Sequence, residues 1–296
     1  MNRILITGSK SFIGTNFIQH SKYSDIREIS LHNIQPDKID FRGFDVVLHL
    51  AAIVHKRKST SPEKYFIINR DLCSEVAKQA KHQGVKQFIL LSTIKVYGKY
   101  ISGSMPWNEE SICIPEDPYG ISKYEAELSL RKLEDLDFRV SIIRTPMVYG
   151  KGVAANMLRM IRLIEKFPVL PFLNVKNSRH YTYIENLIGY IDRIIEVKAS
   201  GTFIVIDGKG ISTEELVSYI SKFLNRKTIL ISLPGFIIKT GISLIPKFFD
   251  TLYNSYYLDN TKTKEILNYT PPYSTEEGLK RMIAYHLQKR EKKTGL

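Results

Sequence analysis

The stretch ILITGSKSFIGTNF, residues 4 to 17, joins a short apolar strand to the start of a helix through a turn that begins at Gly8. In such a strand-turn-helix unit the first glycine makes the tight turn and the second admits a pyrophosphate close to the backbone. The third allows the helix to pack on the strand. Gly8 and Gly14 occupy the first and third places, but Ser11 occupies the middle one. The turn therefore indicates a dinucleotide-binding loop without establishing one.

Ser11 lies where the N-cap of the helix belongs. Its hydroxyl is expected either to accept a hydrogen bond from a free N–H of the first helical turn or to reach the pyrophosphate itself. The backbone N–H groups of Phe12 and Ile13 still face the anion in this arrangement. The predicted phosphate-binding residues are therefore Gly8, Ser11, Phe12, Ile13 and Gly14.

Short apolar strands alternate with amphipathic helices through the first half of the chain. Strands are predicted at residues 3–7, 27–31, 45–52, 87–93 and 139–145, and helices at about 12–22, 63–83 and 118–134. This alternation is typical of a doubly wound parallel sheet, and near-continuous apolar strands are expected when helices cover both of its faces. The predicted fold is α/β with a Rossmann-type parallel sheet.

The pattern loosens after residue 148 and predicts a second, smaller α+β unit. We predict a dinucleotide-binding domain at residues 1–150 and a substrate-binding domain at 151–296, with residues 180–207 as a candidate return to the first. The apolar segment 234–258 is interpreted as core or lid, the alternative being contact with a membrane surface.

Length and composition bound the function. The chain has 296 residues, of which 43% are hydrophobic and 25% charged, enough for a sizeable core. Met1 leads directly into the first strand, which predicts no signal peptide. No apolar run reaches the roughly 18 residues needed to span a bilayer. Cys73 and Cys113 are expected to be free thiols in a cytoplasmic protein. We expect no integral membrane segment and no metal ion.

The formal net charge of the chain is +13. It fits either an anionic partner, such as nucleic acid, a membrane surface or a phosphorylated substrate, or an ordinary basic surface. The cations are spread along the chain, and only residues 55–58 and 289–293 form dense runs. The spread favours an ordinary surface and no nucleic-acid partner. A non-catalytic dinucleotide-binding protein is the alternative from a different functional class.

Tyr119 and Lys123 lie four residues apart at the start of a predicted helix, so they share one face. A lysine beside a phenol favours the phenolate and lowers the pKa of the tyrosine, which then exchanges a proton near neutrality. The preceding strand ends in Ser92 and Thr93, and a hydroxyl from either residue is expected to hydrogen-bond the same substrate oxygen. A second Tyr-x-x-x-Lys at 285–289 follows no strand and is interpreted as helix surface.

Five motifs in a fixed order carry a resemblance: TGxxxFIG, DVVLHLAA, STxxVYG, YxxxK and RTPMVYG. Together they resemble the extended short-chain dehydrogenase/reductase family, and within it the NAD-dependent epimerase/dehydratase group that acts on nucleotide sugars. SRHYTYIENL and the C-terminal segment are similar to further motifs of that group, so the resemblance covers nearly the whole chain. It implies a Rossmann domain with a bound nicotinamide cofactor and a nucleotide-diphosphate sugar as substrate.

The resemblance implies roles for individual residues. Tyr119 would be the acid/base, Lys123 would hold the nicotinamide ribose and the tyrosine, and Thr93 would contact the reacting sugar oxygen. Further cofactor contacts are predicted at His32, Asp40, Phe41, Leu50, Ala51, Ala52 and Asn69. Of these, Asp40 and Phe41 would lie against the adenine, and Asn69 would support the cofactor region. Substrate contacts are predicted at Ser92, Thr93, Asn156 and Arg179, with Arg179 on the nucleotide diphosphate.

Two departures from the family pattern bear on the reaction and the cofactor. Ile94 and Lys95 stand where the sugar 4,6-dehydratases carry an Asp-Glu pair, so dehydration is not expected. Residues 31–33 provide no acid for a ribose 2′-hydroxyl, and His32 and Lys10 would tolerate a 2′-phosphate. NAD and NADP are therefore both candidate cofactors.

The link between the second and third strands is short, which is similar to dTDP-4-dehydrorhamnose reductase-like members of the family. The sequence therefore favours reduction of a 4-keto-6-deoxy sugar nucleotide. An NAD-dependent UDP-sugar 4-epimerase is the alternative, because both reactions use the same Tyr, Lys and Thr groups. The resemblance also implies polysaccharide biosynthesis as the setting and a homodimer formed through the helix that carries Tyr119.

Overall fold

The computed structural model of this protein describes residues 2–54, 61–99, 105–153, 156–234 and 252–294. Its strands are β1 Ile4–Thr7, β2 Ile26–Ile29, β3 Val46–His49, β4 Gln87–Thr93, β5 Arg139–Thr145, β6 Met147–Tyr149, β7 Val169–Leu170, β8 Tyr181–Tyr183, β9 Gly201–Ile204 and β10 Ile229–Leu230. Six of them form a sheet in the order β2-β1-β3-β4-β5-β9, and every neighbouring pair in it is parallel. The predicted doubly wound parallel sheet is confirmed.

The α-helices of the described residues are α1 Phe12–His20, α2 Pro62–Tyr65, α3 Cys73–His82, α4 Pro118–Arg131, α5 Asn156–Lys166, α6 Ile184–Glu196, α7 Thr213–Phe223, α8 Thr261–Leu267 and α9 Thr275–Thr294. Short 3₁₀ turns follow β2 at Pro36–Lys38 and β4 at Ile94–Tyr97. A π-helical segment, Phe66–Leu72, joins α2 to α3. The predicted helix at 63–83 is therefore present but is interrupted by a wider turn that the sequence did not indicate.

Successive residues of each inner strand alternate between two buried layers. Ile4 and Ile6 pack with Phe17 of α1, whereas Leu5 packs in a separate layer with Val76 of α3 and Leu130 of α4. Helices therefore cover both faces of the sheet, and no face of an inner strand meets water. This double burial explains the continuous apolar runs of the sequence.

After β5 the chain leaves the main sheet and later adds one more strand to it. β6 pairs with β8, and β7 pairs with β10, each as a two-stranded parallel ladder outside the main sheet. Helix α6 then packs on α1, and β9 takes the edge position beside β5. Part of the 180–207 region thus belongs to the main sheet, while the division of the chain at residue 150 stays a prediction.

Two stretches singled out in the sequence fall largely outside the described residues. The basic run 55–58 lies there entirely, and so does most of the apolar segment 234–258, although its Leu252 and Leu258 are buried. Within the described ranges, no helix is long and apolar enough to cross a bilayer.

A buried carboxylate, Asp207, follows β9 and holds the second half of the chain against the sheet. It accepts hydrogen bonds from the Tyr149 hydroxyl at 2.9 Å, the Tyr183 backbone N–H at 2.7 Å and the Asn186 amide at 2.8 Å. These hydrogen bonds lower the pKa of Asp207, but burial dominates and raises that pKa to about 6. The ionised carboxylate is therefore unfavourable inside this fold.

Asp207→Asn is expected to stabilise the protein at alkaline pH. Since the pKa of Asp207 is raised on folding, its contribution to the free energy of unfolding is full below about pH 4 and is lost as pH rises through about 6. An asparagine keeps an acceptor for Asn186, and the Tyr149 hydroxyl can still donate to the Thr275 carbonyl, 3.1 Å away. Urea unfolding at pH 8 should show a gain on the order of 1–3 kcal/mol.

The same variant should match the wild type at pH 4. Asp259→Asn is the control, because hydrogen bonds from Thr261 lower the pKa of that exposed carboxyl and its pH trend has the opposite sign. Equal unfolding curves for Asp207→Asn and wild type at both pH values would contradict the prediction.

Candidate functional site

The strand order reverses between β1 and β3, and the loops that follow these strands meet at the carboxyl edge of the sheet. Such a reversal is where open α/β sheets bind ligands. Gly8 has a φ of +93°, and a Cβ on it would lie 2.8 Å from the backbone nitrogen of Ala51. Only glycine fits between the two loops, which leaves the backbone around Gly8 and the partly exposed Leu50, Ala51 and Ala52 open to a flat ligand.

Ser11 is the N-cap of α1. Its side chain accepts a hydrogen bond from the Gly14 backbone N–H at 3.1 Å. Of the two roles predicted for Ser11, the N-cap is therefore confirmed. The N–H groups of Phe12 and Ile13 belong to the first turn, where the helix offers no internal acceptor, so they fit a pyrophosphate.

The two residues predicted to lie near the adenine differ in their exposure to solvent. Phe41 is fully buried in the core layer that contains Leu5, so its side chain does not line a ligand surface, which corrects the prediction for it. Asp40 is exposed and binds Arg42 through two hydrogen bonds of 2.8 and 3.0 Å. His32 is exposed beyond the end of β2.

Asn69 lies in the π-helical segment and is buried. Its amide accepts from the Ile53 N–H at 2.8 Å and donates to the Ile53 carbonyl and the Ser122 hydroxyl, both at 3.1 Å. These bonds tie the loop after β3 to the residue that precedes Lys123 on α4. Wide turns of this kind often occur at functional sites. The placement suits the supporting role that the resemblance implies for Asn69.

The start of α4 packs directly on the turn that follows β4. Asp117 caps this helix by accepting from the Gly120 N–H at 2.7 Å. A Cβ on Gly120 would lie 2.8 Å from the Lys95 carbonyl oxygen, so glycine permits the close approach. As a result the Thr93 hydroxyl lies close enough to the Tyr119 phenol to lower its pKa. Two of the three predicted catalytic residues are therefore neighbours.

Burial controls the proton affinity of Tyr119. Burial is the largest cause of a pKa of about 12 for Tyr119; the nearby Thr93 hydroxyl opposes this rise, and the Asp117 carboxylate adds to it. The sequence-based expectation that Lys123 brings this pKa near neutrality is therefore wrong for the protein alone. The phenol is protonated at neutral pH and is set to donate.

Lys123 is 1% exposed, and its ammonium forms no hydrogen bond with any residue that the structure describes. Burial lowers the pKa of Lys123, whereas Cys73 and Glu127 raise it. The neighbouring His49 is neutral, because burial and the charge of Lys123 lower its pKa to about 3. A buried ammonium without an acceptor is unfavourable. Lys123 therefore fits a ligand that brings hydroxyl groups, such as a ribose.

Lys95 approaches Tyr119 from the turn after β4. Its ammonium lies 2.8 Å from the Asp117 carboxylate and 5.7 Å from the centre of the Tyr119 ring. Ile94 is buried in an apolar cluster. Neither of these two residues can move a proton on a neighbouring sugar carbon as a carboxylate would, in agreement with the expectation that the chain is not a dehydratase.

Ser92 turns away from Thr93. Its hydroxyl is buried and donates to the Glu127 carboxylate at 2.5 Å, because adjacent strand residues point to opposite faces. This corrects Ser92 as a substrate contact. Glu127 and its partner Arg144 were not singled out in the sequence, although the four-residue spacing of Lys123 and Glu127 places both on one helix face.

The other predicted substrate residues lie in the second half of the chain. The Arg179 guanidinium lies 4.6 Å from the centre of the Tyr256 ring and donates to the Asn254 carbonyl at 3.2 Å. Asn156 is exposed at the first residue of α5 and accepts from Arg159 at 3.3 Å. The partners named here for Asn156 and Arg179 all belong to the second half of the chain.

The sequence of this chain is similar to one protein family and to individual relatives of known name. The model of the "NAD dependent epimerase/dehydratase family" matches residues 4–206. A UDP-glucose 4-epimerase of Vibrio cholerae is 34% identical, the match covering 96% of this chain and 95% of that protein.

Two solved structures share the fold. A UDP-glucuronic acid 4-epimerase from Bacillus cereus in complex with NAD matches with a TM-score of 0.76 and 22% identity, covering 97% of this chain and 96% of that one. A dTDP-4-dehydrorhamnose reductase from Clostridium acetobutylicum matches with a TM-score of 0.78 and 20% identity, covering 97% and 99%. At these identities the two structures establish the fold and leave the reaction open.

Ser11→Gly is expected to change the affinity for NAD by less than about tenfold, or roughly 1.4 kcal/mol. Glycine is a tolerated N-cap, and the N–H groups of Phe12 and Ile13 stay in place. Ser11→Ala is the matched comparison, since alanine is a poor N-cap and should lower the free energy of unfolding by about 1 kcal/mol. Calorimetric titration measures the affinity. A loss well beyond tenfold for Ser11→Gly would mean that the hydroxyl itself binds the pyrophosphate.

Proposed function

This chain belongs to the NAD-dependent epimerase/dehydratase family, and we propose that it is a 4-epimerase of a UDP-linked sugar that uses NAD. The approach of Thr93 to Tyr119, with Lys123 one helical turn further on, is the observation that carries the proposal. It brings a proton donor, a positioning hydroxyl and a cation to one place. The nearly full-length similarity to a UDP-glucose 4-epimerase supports the choice of reaction.

The residues of the site have distinct tasks in this proposal. Thr93 and Tyr119 bind the oxygen on C4 of the sugar, and Tyr119 gives a proton to that oxygen or takes one from it. Bound NAD would supply an acceptor for the hydride of C4 and a donor of that hydride to the opposite face of the same carbon. Lys123 holds the ribose next to the nicotinamide, and its charge favours the step in which Tyr119 takes the proton.

NAD suits the residues at the carboxyl edge of the sheet. The Gly8 turn, the N–H groups at the start of α1 and the buried ammonium of Lys123 offer contacts for a pyrophosphate and a ribose. The family that matches this chain is described as NAD dependent, which supports NAD. A nucleotide-diphosphate sugar is the proposed substrate, with Arg179 on its diphosphate, and the homodimer remains a prediction.

A 4-keto sugar nucleotide reductase, which the sequence favoured, becomes the second candidate. The link from β2 to β3 contains only the 3₁₀ turn Pro36–Lys38 and no crossover helix, and this short link is the observation in its favour. The 34% identical relative is an epimerase, and that similarity outweighs the loop length. A purely dinucleotide-binding role does not account for the approach of Thr93 to Tyr119.

Tyr119→Phe should lower the turnover number with UDP-glucose by about 10²–10⁴-fold while the affinity for NAD stays unchanged. The variant removes the proton donor without changing the shape of the ring. Tyr285→Phe is the matched control, because Tyr285 belongs to the second Tyr-x-x-x-Lys and contacts Lys151 away from Thr93. Chromatography of the UDP-sugars measures turnover. Wild-type turnover in Tyr119→Phe would contradict the role of this tyrosine.

The nicotinamide absorbance separates the two candidate reactions. A 4-epimerase converts UDP-glucose with no net change in that absorbance, because the cofactor is restored in every cycle. A 4-keto reductase instead consumes one NADH or NADPH for each product molecule. Product formation that requires a stoichiometric supply of reduced cofactor would contradict the epimerase and support the reductase.

A further inference from the structure

An ion pair lies beneath the site and is sealed from solvent. Glu127 is 0% and Arg144 is 1% exposed. The Arg144 Nη2 donates to Glu127 Oε2 at 2.6 Å, and Nε lies 3.2 Å from both carboxylate oxygens. Glu127 Oε1 also accepts from the Ser92 hydroxyl at 2.5 Å. The carboxylate is thus fully hydrogen-bonded without water.

These contacts join the three elements that carry the site. Glu127 lies on α4 one turn after Lys123, Ser92 immediately precedes Thr93 on β4, and Arg144 lies on β5. Arg144 also donates to the Tyr97 hydroxyl at 2.9 Å, in the turn that follows β4. The Glu127 carboxylate therefore fixes the distance between α4 and β4. Helix α4 carries Tyr119 and Lys123, and β4 ends in Thr93.

Fold stability alone does not call for this pair. Replacing a buried ion pair by apolar side chains of similar size often leaves a protein as stable or more so. Fold stability therefore does not explain why the charges of Glu127 and Arg144 are present, and the neighbouring site does. A role beyond packing is expected where the pair touches the elements that carry the reacting groups.

Glu127 also acts on the charge of Lys123. The titratable groups that interact with the charge of Lys123 are His49 on β3, Cys73 on α3 and Glu127 on its own helix, and Tyr119 lies one turn earlier on that helix. His49 and Tyr119 are neutral at physiological pH, and burial raises the pKa of the Cys73 thiol to about 12, so it is neutral as well. Among these groups, Glu127 supplies the negative charge that opposes the desolvation of Lys123.

We propose that the Glu127–Arg144 pair is the positioning element of this site: it fixes the distance between Tyr119 and Thr93 and places a negative charge one helical turn from Lys123. The proposal rests on the proposed function, because it concerns the same three residues. Neither member of the pair touches the reacting atoms. Both act through the side chains that do.

Glu127→Gln tests the pair with a change of one charge and almost no change in shape. The turnover number should fall roughly tenfold to a hundredfold with little change in KM, since misplaced reacting groups slow turnover more than they weaken binding. The alkaline limb of the activity profile should also move to lower pH, because Lys123 loses its proton more easily. Glu125→Gln is the matched control on the same helix, where Glu125 forms an exposed pair with Arg70.

A double variant, Glu127→Met with Arg144→Met, removes both charges of the pair, so neither member is left in the core without its partner. It is expected to fold and to show the same loss of turnover and the same shift of the alkaline limb as Glu127→Gln. Wild-type turnover and an unshifted limb in this folded double variant would overturn the proposal. Failure of both variants to fold, judged by circular dichroism, would also overturn it, because the pair would then be a requirement of the core.

Binding of NAD, followed by calorimetry from neutral to alkaline pH, provides a readout that needs no sugar. The pH at which affinity is half lost should be lower in Glu127→Gln than in wild type and in Glu125→Gln. If wild type converts no UDP-sugar but this shift is present, the proposed function fails and the inference about Glu127 stands. If wild type is active and neither the NAD titration nor the turnover changes in Glu127→Gln, the inference fails and the function stands.

Discussion

Burial of the central strands on both faces is the constraint on which the rest of this structure depends. Helices cover the two sides of the sheet, so side chains along β1, β3, β4 and β5 are enclosed and mostly apolar. Polar chemistry is therefore confined to the places where strands end. This explains the shared location of Gly8, Thr93 and the loop that begins at Leu50, because parallel strands bring their carboxyl ends to one edge of the sheet.

The same enclosure sets the electrostatics of the site. Burial raises the pKa of Tyr119 and lowers the pKa values of Lys123 and His49, so each group is pushed toward its neutral form. Two residues counteract this effect: Thr93 by its hydroxyl beside Tyr119, and Glu127 by a negative charge near Lys123. The protonation states of the site therefore depend on two opposing effects, the low polarity of the interior and a few polar neighbours.

The sequence predicted elements well where a local pattern determines them. The bounds of β4 and β5 agree residue for residue, because each strand is a mostly apolar run that begins and ends in a polar residue: Gln87 and Thr93 in β4, Arg139 and Thr145 in β5. Prediction from the sequence failed where the position or pKa of a side chain depends on packing between distant segments. Whereas the opposite directions of Ser92 and Thr93 follow from strand alternation, the burial of Phe41 and the raised pKa of Tyr119 each depend on neighbours that no spacing rule supplies. The π-helical segment that carries Asn69 is of the same kind, since its contacts reach Ile53 and Ser122.

The central claim is that Thr93, Tyr119 and Lys123 serve inversion at C4 of a UDP-linked sugar. Incubation with UDP-glucose that carries deuterium at C4 tests it most directly, with the product analysed by NMR and mass spectrometry. The account predicts UDP-galactose that retains the deuterium at C4, because the hydrogen leaves and returns within one closed site. UDP-galactose with hydrogen from water at C4, or a product with deuterium lost and the C4 configuration unchanged, would contradict it.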